Sequence, residues 1–199
     1  MKLIVLTCVV GTALGQWTAS NNPCIDPTSE QSKQPWCNAS LTYDERVKDM
    51  VSRMDLQSEK IPNLNTGGQP IPSLGLNSYN WWEEASSGVS NGHETTKFAF
   101  PITTGMSFNR SLWRVTGRHI GTEARAFMNL GAAESTYWAP VVNLAREPRW
   151  GRNIECPGED PYLSGEYAAA FVDGFERNPI DPTHIQASAC CKHLSLIHI

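Results

Sequence analysis

The chain has 199 residues, a length that suits one ordinary domain. With 40% apolar and 18% charged residues it has enough apolar content for a core and lacks the signature of disorder. Its net charge of −4 comes without a basic stripe, which argues against a nucleic-acid surface, and no stretch is long enough to span a membrane. Seven Trp and thirteen Pro with so little charge favour sugar handling, because pyranose faces stack on indole.

The chain opens with Met1-Lys2, an apolar run from Leu3 to Val10 and the small-x-small step Ala13-Leu14-Gly15. This pattern predicts a signal peptide over 1–15, a mature start at Gln16 and a secreted, extracellular product. Cys8 leaves with the signal. Cys24, Cys37, Cys156, Cys190 and Cys191 remain, and an odd number leaves at least one unpaired. Cys24 and Cys37 enclose a short stretch rich in Pro and Ser and are the disulfide candidates. Cys190 and Cys191 point to opposite faces of a strand, and with His193 they have poor metal-ligand spacing. No metal or organic cofactor is expected. Asn38-Ala39-Ser40 and Asn109-Arg110-Ser111 are glycosylation sequons, which marks Asn38 and Asn109 as candidate glycan sites.

Residues 16–40 read as a polar N-terminal arm. Thr42 and Glu45 form a capping box, and Val47, Met50, Val51 and Met54 follow at helical spacing, which predicts a helix from about Tyr43 to Leu56. Residues 61–78 read as loop. A second helix is predicted over Ser111–Leu130, capped by Asn109 or Ser111, lined by Leu112, Val115, Ile120, Ala124 and Phe127, and closed by Gly131. Tyr137–Leu144 reads as a buried strand and 145–161 as a loop rich in Arg, Pro and Gly. Tyr162–Phe175 reads as a helix with Leu163, Tyr167, Ala170 and Phe171 on one face. Ile185–Cys191 reads as another strand. Helices alternating with buried strands predict an α/β fold of parallel βαβ units. A complete (β/α)8 barrel needs roughly 250 residues, so the expected fold is the N-terminal portion of a TIM-type barrel, incomplete.

In such folds chemistry sits at the C-terminal ends of strands. Three segments fall there. Ala145-Arg-Glu-Pro-Arg-Trp-Gly-Arg152 offers three Arg forks and one indole. Its bland alternative is an ion-pair loop with Glu147, Glu155, Glu159 and Asp160. Lys192-His193 leaves a strand end with two donors able to hold vicinal hydroxyls. Tyr79-Asn-Trp-Trp-Glu-Glu84 puts two Trp beside two carboxylates, a stacking face next to acceptors.

These segments together resemble glycoside hydrolase family 3. The run 137–161, YWAPVVNLAREPRWGRNIECPGEDP, resembles that family's signature. Cys-Cys-Lys-His at 190–193 is similar to its Lys-His motif, and Asn-Trp-Trp-Glu-Glu-Ala at 80–85 to its Trp-Trp-Ser-Glu-Ala segment. The wording is nearest to secreted β-xylosidases, with β-glucosidases of the same family as the alternative. The resemblance implies an oligosaccharide or glycoside substrate, no nucleic-acid or membrane partner, and hydrolysis of terminal β-linked sugars with retention. It implies that Glu84, Arg152, Lys192 and His193 hold the sugar of the −1 subsite and that Trp138 borders it. Arg149 and Trp150 are expected to brace their loop. The family's Ala-Leu-His-Gly is replaced here by Ala85-Ser86-Ser87-Gly88, and Cys156 stands where Thr or Ser is usual.

A retaining glycosidase needs two carboxylates roughly 5–5.5 Å apart. The family's nucleophile and acid/base belong to later segments, and no acidic residue here matches either motif. The expectation is therefore a fragment that carries part of a sugar subsite without catalytic carboxylates: inactive by itself, or a non-catalytic sugar binder. The barrel portion is placed at 41–193. The last six residues, 194–199, resemble a translated library adapter and are expected to be a non-native tail, so His198 carries no meaning. Oligomeric state is left open.

Overall fold

The computed structural model describes residues 22–65, 68–90 and 94–193. The expected signal peptide and the 194–199 tail lie outside them.

Local chemistry starts the first helix, α1 (Tyr43–Arg53). The Thr42 hydroxyl accepts from the Glu45 amide at 3.3 Å, and the Glu45 carboxylate accepts from the Thr42 amide at 2.9 Å. The helix stops three residues before the expected Leu56, because Met54 is extended and Asp55 caps a new turn by accepting from Gln57 and Ser58. That π-helical turn, Leu56–Lys60, runs into α2 (Ile61–Asn65), and a 3-10 turn follows at Pro72–Leu74. Residues 61–78 are thus not all loop. The buried Glu59 carboxylate explains the order: it accepts from the Asp55 amide, the Ser73 amide and the Ser73 hydroxyl at 2.7–2.8 Å.

The N-terminal arm is more than polar. Two 3-10 turns, Glu30–Lys33 and Pro35–Cys37, place Trp36 in a small core with Ile71 and Leu74. Met50 and Met54 pack against it, whereas Val47 and Val51 of α1 are exposed. Cys24 and Cys37 are joined by a disulfide beside this core.

The larger unit is a parallel sheet of β1 (Glu83–Glu84), β2 (Thr136–Trp138) and β3 (Ser188–Ala189), in that spatial order. Between β1 and β2 run α3 (Pro101–Gly105) and α4 (Arg110–Asn129); between β2 and β3 runs α5 (Pro161–Glu176). Parallel neighbours in sequence order, joined through helices, are successive (β/α) units, so the fold is an incomplete α/β barrel. The strands are shorter than expected. Pro140 has no N–H for the ladder, and pairing resumes only at a bridge between Val141 and Lys192. Residues 185–187 precede β3, and Ile185 is exposed.

The core lies between the sheet and α4 and α5. Along α5, Tyr167, Phe171 and Phe175 stack with centroids 6.0 and 5.8 Å apart, and Tyr137 of β2 meets Phe175 edge-on at 5.6 Å. Side chains this size stabilise by about 1.5–3 kcal/mol each when fully buried. Helices α4 and α5 touch backbone to backbone. A Cβ on Gly117 would lie 2.4 Å from the Phe171 carbonyl oxygen, and one on Gly174 2.0 Å from that of Arg114. Of the expected face of α4, Ile120 and Ala124 are buried and Phe127 packs on the core, while Leu112 and Val115 are exposed and Trp113 and Thr116 are buried in their stead. Gln186, also buried, donates to the Phe175 carbonyl at 2.8 Å, and Arg125 donates to that of Ile185 at 2.7 Å. These bonds fix the approach to β3.

Candidate functional site

Parallel strands bring their C-terminal ends to one rim. Glu84 ends β1 and is the register partner of Trp138, which ends β2. Beyond β3, the Lys192 amide donates to the Pro140 carbonyl at 3.0 Å, and the Lys192 carbonyl accepts from Val142 at 2.7 Å. The His193 amide donates to Asn143 Oδ1 at 2.7 Å. Backbone bonding thus holds Lys192 and His193 against the end of β2, and the Ala139–Pro140 and Lys192–His193 peptides are both cis.

The side chains form one network. Lys192 is 2% exposed, with Nζ 2.5 Å from Glu84 Oε2 and 3.6 Å from Glu155 Oε2. A buried ammonium needs such partners. Glu84 Oε1 accepts from Trp82 Nε1 at 3.2 Å. Glu155 grips Arg152 through two parallel bonds, Nε to Oε1 at 2.6 Å and Nη2 to Oε2 at 2.8 Å. The same Nη2 lies 3.1 Å from His193 Nε2. A guanidinium only donates, so His193 Nε2 accepts and the neutral ring carries its proton on Nδ1. Burial holds the His193 pKa below its ordinary value, and the charges of Arg152 and Lys192 push the same way. The Arg152 guanidinium likewise holds the Glu155 carboxyl below the usual carboxylate range.

Aromatic rings flank this network. Trp82 and Trp138 stack with centroids 5.0 Å apart and planes 20° from parallel. Trp138 Nε1 donates to the Trp81 carbonyl at 2.8 Å, and Tyr79 packs on Trp81 at 4.5 Å. Trp81 and Trp82 remain exposed.

The structure therefore brings together Glu84, Trp138, Arg152, Lys192 and His193, the five residues singled out from sequence. Arg149 lies apart on the exposed loop, paired through two bonds with Glu147. Asp160 caps α5, its carboxylate accepting from the Leu163 amide at 2.6 Å. Two contributors escaped the sequence reading as site members. Glu155 was legible only as an ion-pair partner three residues after Arg152, and Asn143 as a polar residue inside an apolar run; Trp82, read as part of a stacking face, also donates to Glu84.

Other candidates sit elsewhere. Asn38 and Asn109 are exposed, and Asn109 caps α4 by accepting from the Leu112 amide at 3.1 Å. The Cys156 thiol is buried, and burial pushes its pKa up to about 11. Cys190 and Cys191 are free and half-buried, and burial raises the Cys191 thiol. Among the described residues no cluster of three metal-ligating side chains exists. A cavity of about 520 Å3, lined by Tyr79, Arg125, Met128, Ala133, Glu134 and Ser135, lies at the other, N-terminal end of β2.

The rim network balances two cations, Arg152 and Lys192, against two carboxylates, Glu84 and Glu155, around a neutral imidazole. It offers donors and acceptors in quantity without a large net charge. A neutral ligand rich in hydroxyls, with an apolar face for indole, matches that chemistry; a strongly charged one would leave its charge uncompensated.

The sequence matches the model of the glycosyl hydrolase family 3 N-terminal domain over residues 77–195. Beta-xylosidase/alpha-L-arabinofuranosidase 2 of Medicago sativa subsp. varia is 45% identical over 169 residues, which cover 79% of this chain and 22% of that protein. Beta-D-xylosidase 3 of Arabidopsis thaliana is 45% identical over 175 residues, covering 82% of this chain and 22% of that protein. The chain thus spans about a fifth of the length of these curated relatives. A solved GH3 exo-beta-xylosidase (XlnD), in complex with a xylobiose aziridine activity-based probe, superposes with a TM-score of 0.72 at 30% identity, covering 88% of this chain and 23% of that one. Beta-glucosidase 3B from Thermotoga neapolitana, in complex with alpha-D-glucose, superposes with a TM-score of 0.50 at 31% identity, covering 63% and 17%.

Proposed function

The chain belongs to glycosyl hydrolase family 3, and we propose that its whole protein hydrolyses terminal, non-reducing β-linked sugars with retention, as a β-D-xylosidase. The observation that carries this reading is the balanced network of Glu84, Arg152, Lys192 and His193 at three strand ends beside two stacked indoles. In the proposed roles, Lys192 and Arg152 donate to sugar hydroxyls, Glu84 accepts from them, His193 orients one of them, and Trp138 borders the ring. Donors and acceptors fixed before the ligand arrives hold a polyol while its anomeric carbon reacts. The reacting carboxylates are assigned to sequence outside residues 1–199, and this chain by itself is expected to turn over no aryl β-xyloside. The reading includes secretion through the 1–15 signal, glycans at Asn38 and Asn109, and a barrel portion over 41–193.

The test is turnover by the whole protein of 4-nitrophenyl β-D-xylopyranoside against 4-nitrophenyl β-D-glucopyranoside. At least a tenfold preference in kcat/KM for the xyloside is expected. A preference for the glucoside favours the β-glucosidase reading, which the Thermotoga neapolitana neighbour supports. Quenching of Trp fluorescence by xylose without turnover favours a sugar-binding protein instead. Absence of both turnover and sugar binding would sink the proposal.

A further inference from the structure

Glu155 joins the two cations of the network. Its carboxylate touches both cations, Arg152 through two bonds at 2.6 and 2.8 Å and Lys192 at 3.6 Å. Its side chain is 19% exposed, so water competes weakly for these contacts. Backbone geometry presets the grip. The Glu155 amide donates to the Arg152 carbonyl at 3.0 Å across the 3-10 turn Asn153–Glu155, which puts the two side chains on one side of the loop. Arg152 would otherwise be a long, half-exposed side chain close to a second cation. Engaged by Glu155, its guanidinium keeps Nη2 against His193.

We propose that Glu155 is a positioning residue for sugar binding: it fixes the Arg152 fork against His193 and shares Lys192 with Glu84, so that three donors are set before the ligand arrives. This rests on the reading of the rim as a sugar site. Glu155 acts through Arg152, so its removal weakens ground-state and transition-state binding alike, which raises KM more than it lowers kcat.

The experiment uses the whole protein and the isosteric variant Glu155→Gln, with Arg152→Lys and the double variant completing a cycle. Two readouts are taken. The first is kcat and KM on 4-nitrophenyl β-D-xylopyranoside. Glu155→Gln is expected to raise KM at least tenfold with kcat within threefold, and to add less than twofold when Arg152 is already Lys. A merely structural residue would multiply with Arg152→Lys and lower apparent kcat through loss of folded protein while leaving KM unchanged. The second readout needs no activity. Modification of arginine by phenylglyoxal, followed by mass spectrometry on the folded protein, is expected to speed up at least fivefold at Arg152 in Glu155→Gln. Arg149, 88% exposed and paired with Glu147, serves as internal control and should not change. Unchanged Arg152 modification, or multiplicative kinetics, overturns the positioning role. If the wild-type protein turns over no glycoside, the proposed function falls, and the modification rates still decide whether Glu155 fixes Arg152. Glu155→Asp gives the rescue: it keeps the charge and should recover part of the KM effect.

Discussion

Glu84→Gln and Lys192→Met remove opposite halves of one ion pair, and the structure makes their effects unequal. The Lys192 side chain is 2% exposed, against 35% for Glu84. Glu84 receives two donors, Lys192 Nζ on Oε2 and Trp82 Nε1 on Oε1. A Gln amide has one oxygen, so in Glu84→Gln one of those donors faces an NH2 group. The buried ammonium then keeps Glu155, 3.6 Å away, as its remaining anion. Orphaning a buried charge outright destabilises by about 3–5 kcal/mol; with Glu155 in place and the Glu84 side half open, about 2 kcal/mol is expected. Lys192→Met leaves Glu84 to solvent and Trp82, and Glu155 to Arg152, so the loss should be about 0.5 kcal/mol. In a domain this size, 2 kcal/mol corresponds to about 4–8 °C in Tm. The double variant, with no ammonium left to orphan, should melt close to Lys192→Met. Thermal unfolding followed by Trp fluorescence reads this directly, since Trp82 and Trp138 stack beside the pair. Equal losses in the two single variants, or additive losses in the double, would refute the reasoning.

Three further outcomes are expected. Gly117→Ala should destabilise by about 2–3 kcal/mol, because its methyl lands 2.4 Å from the Phe171 carbonyl oxygen, while Gly165→Ala in α5, with nothing within 4 Å, should be neutral or stabilising by about 0.5–1 kcal/mol; urea midpoints that fail to separate the two would contradict the close helix contact. Replacing Cys24 and Cys37 by Ser opens a loop of sequence separation 13 and should remove about 3 kcal/mol, read as a lower Tm that dithiothreitol reproduces in the wild type but not in the variant. His193 has a folded-state pKa below its ordinary 6.5, so the unfolded chain takes up the proton first as pH falls; stability should therefore decline below about pH 6.5 towards the lowered value, by at most about 1.4 kcal/mol per pH unit, and be insensitive to this group above it. His193→Gln should lose that part of the slope between pH 7.5 and 5, and an unchanged slope would show that the imidazole is not the group responsible.

The elements legible in the sequence were those whose causes are local. The Thr42–Glu45 box started α1 and Asn109 capped α4, because a cap needs only residues within one turn, whereas the Asp160 cap of α5 reads in the sequence as part of an ion-pair loop. What depends on partners distant in sequence was misread. The turn and helix at Leu56–Asn65 exist because Glu59 reaches Ser73. The buried face of α4 is set by glycines that admit α5, and apolar spacing alone favoured Leu112 and Val115, which stay exposed. Strand lengths were overestimated because an apolar run marks burial, not ladder pairing. Val141 and Ala187 are buried although neither lies in a continuous strand.

The rim network shows the same division in its chemistry. The residues proposed to face the sugar are recognisable from type and place: an Arg, a Lys-His pair and a carboxylate at strand ends. The residues that hold them are not, because bracing requires only that the right group lie nearby. Glu155 and Asn143 carry that function through a bidentate fork and an amide bond to the His193 backbone. Their presence answers an electrostatic problem. Two cations near one buried point repel each other, and a neutral sugar brings no charge to offset them. The site must contain its own anions, and Glu84 meets that need for Lys192 while still able to accept from a hydroxyl. Arg152 takes its anion from a position three residues along the same turn. With Glu155 offsetting Arg152 and Glu84 offsetting Lys192, the network carries little net charge, which suits an uncharged ligand better than a phosphate or a carboxylate.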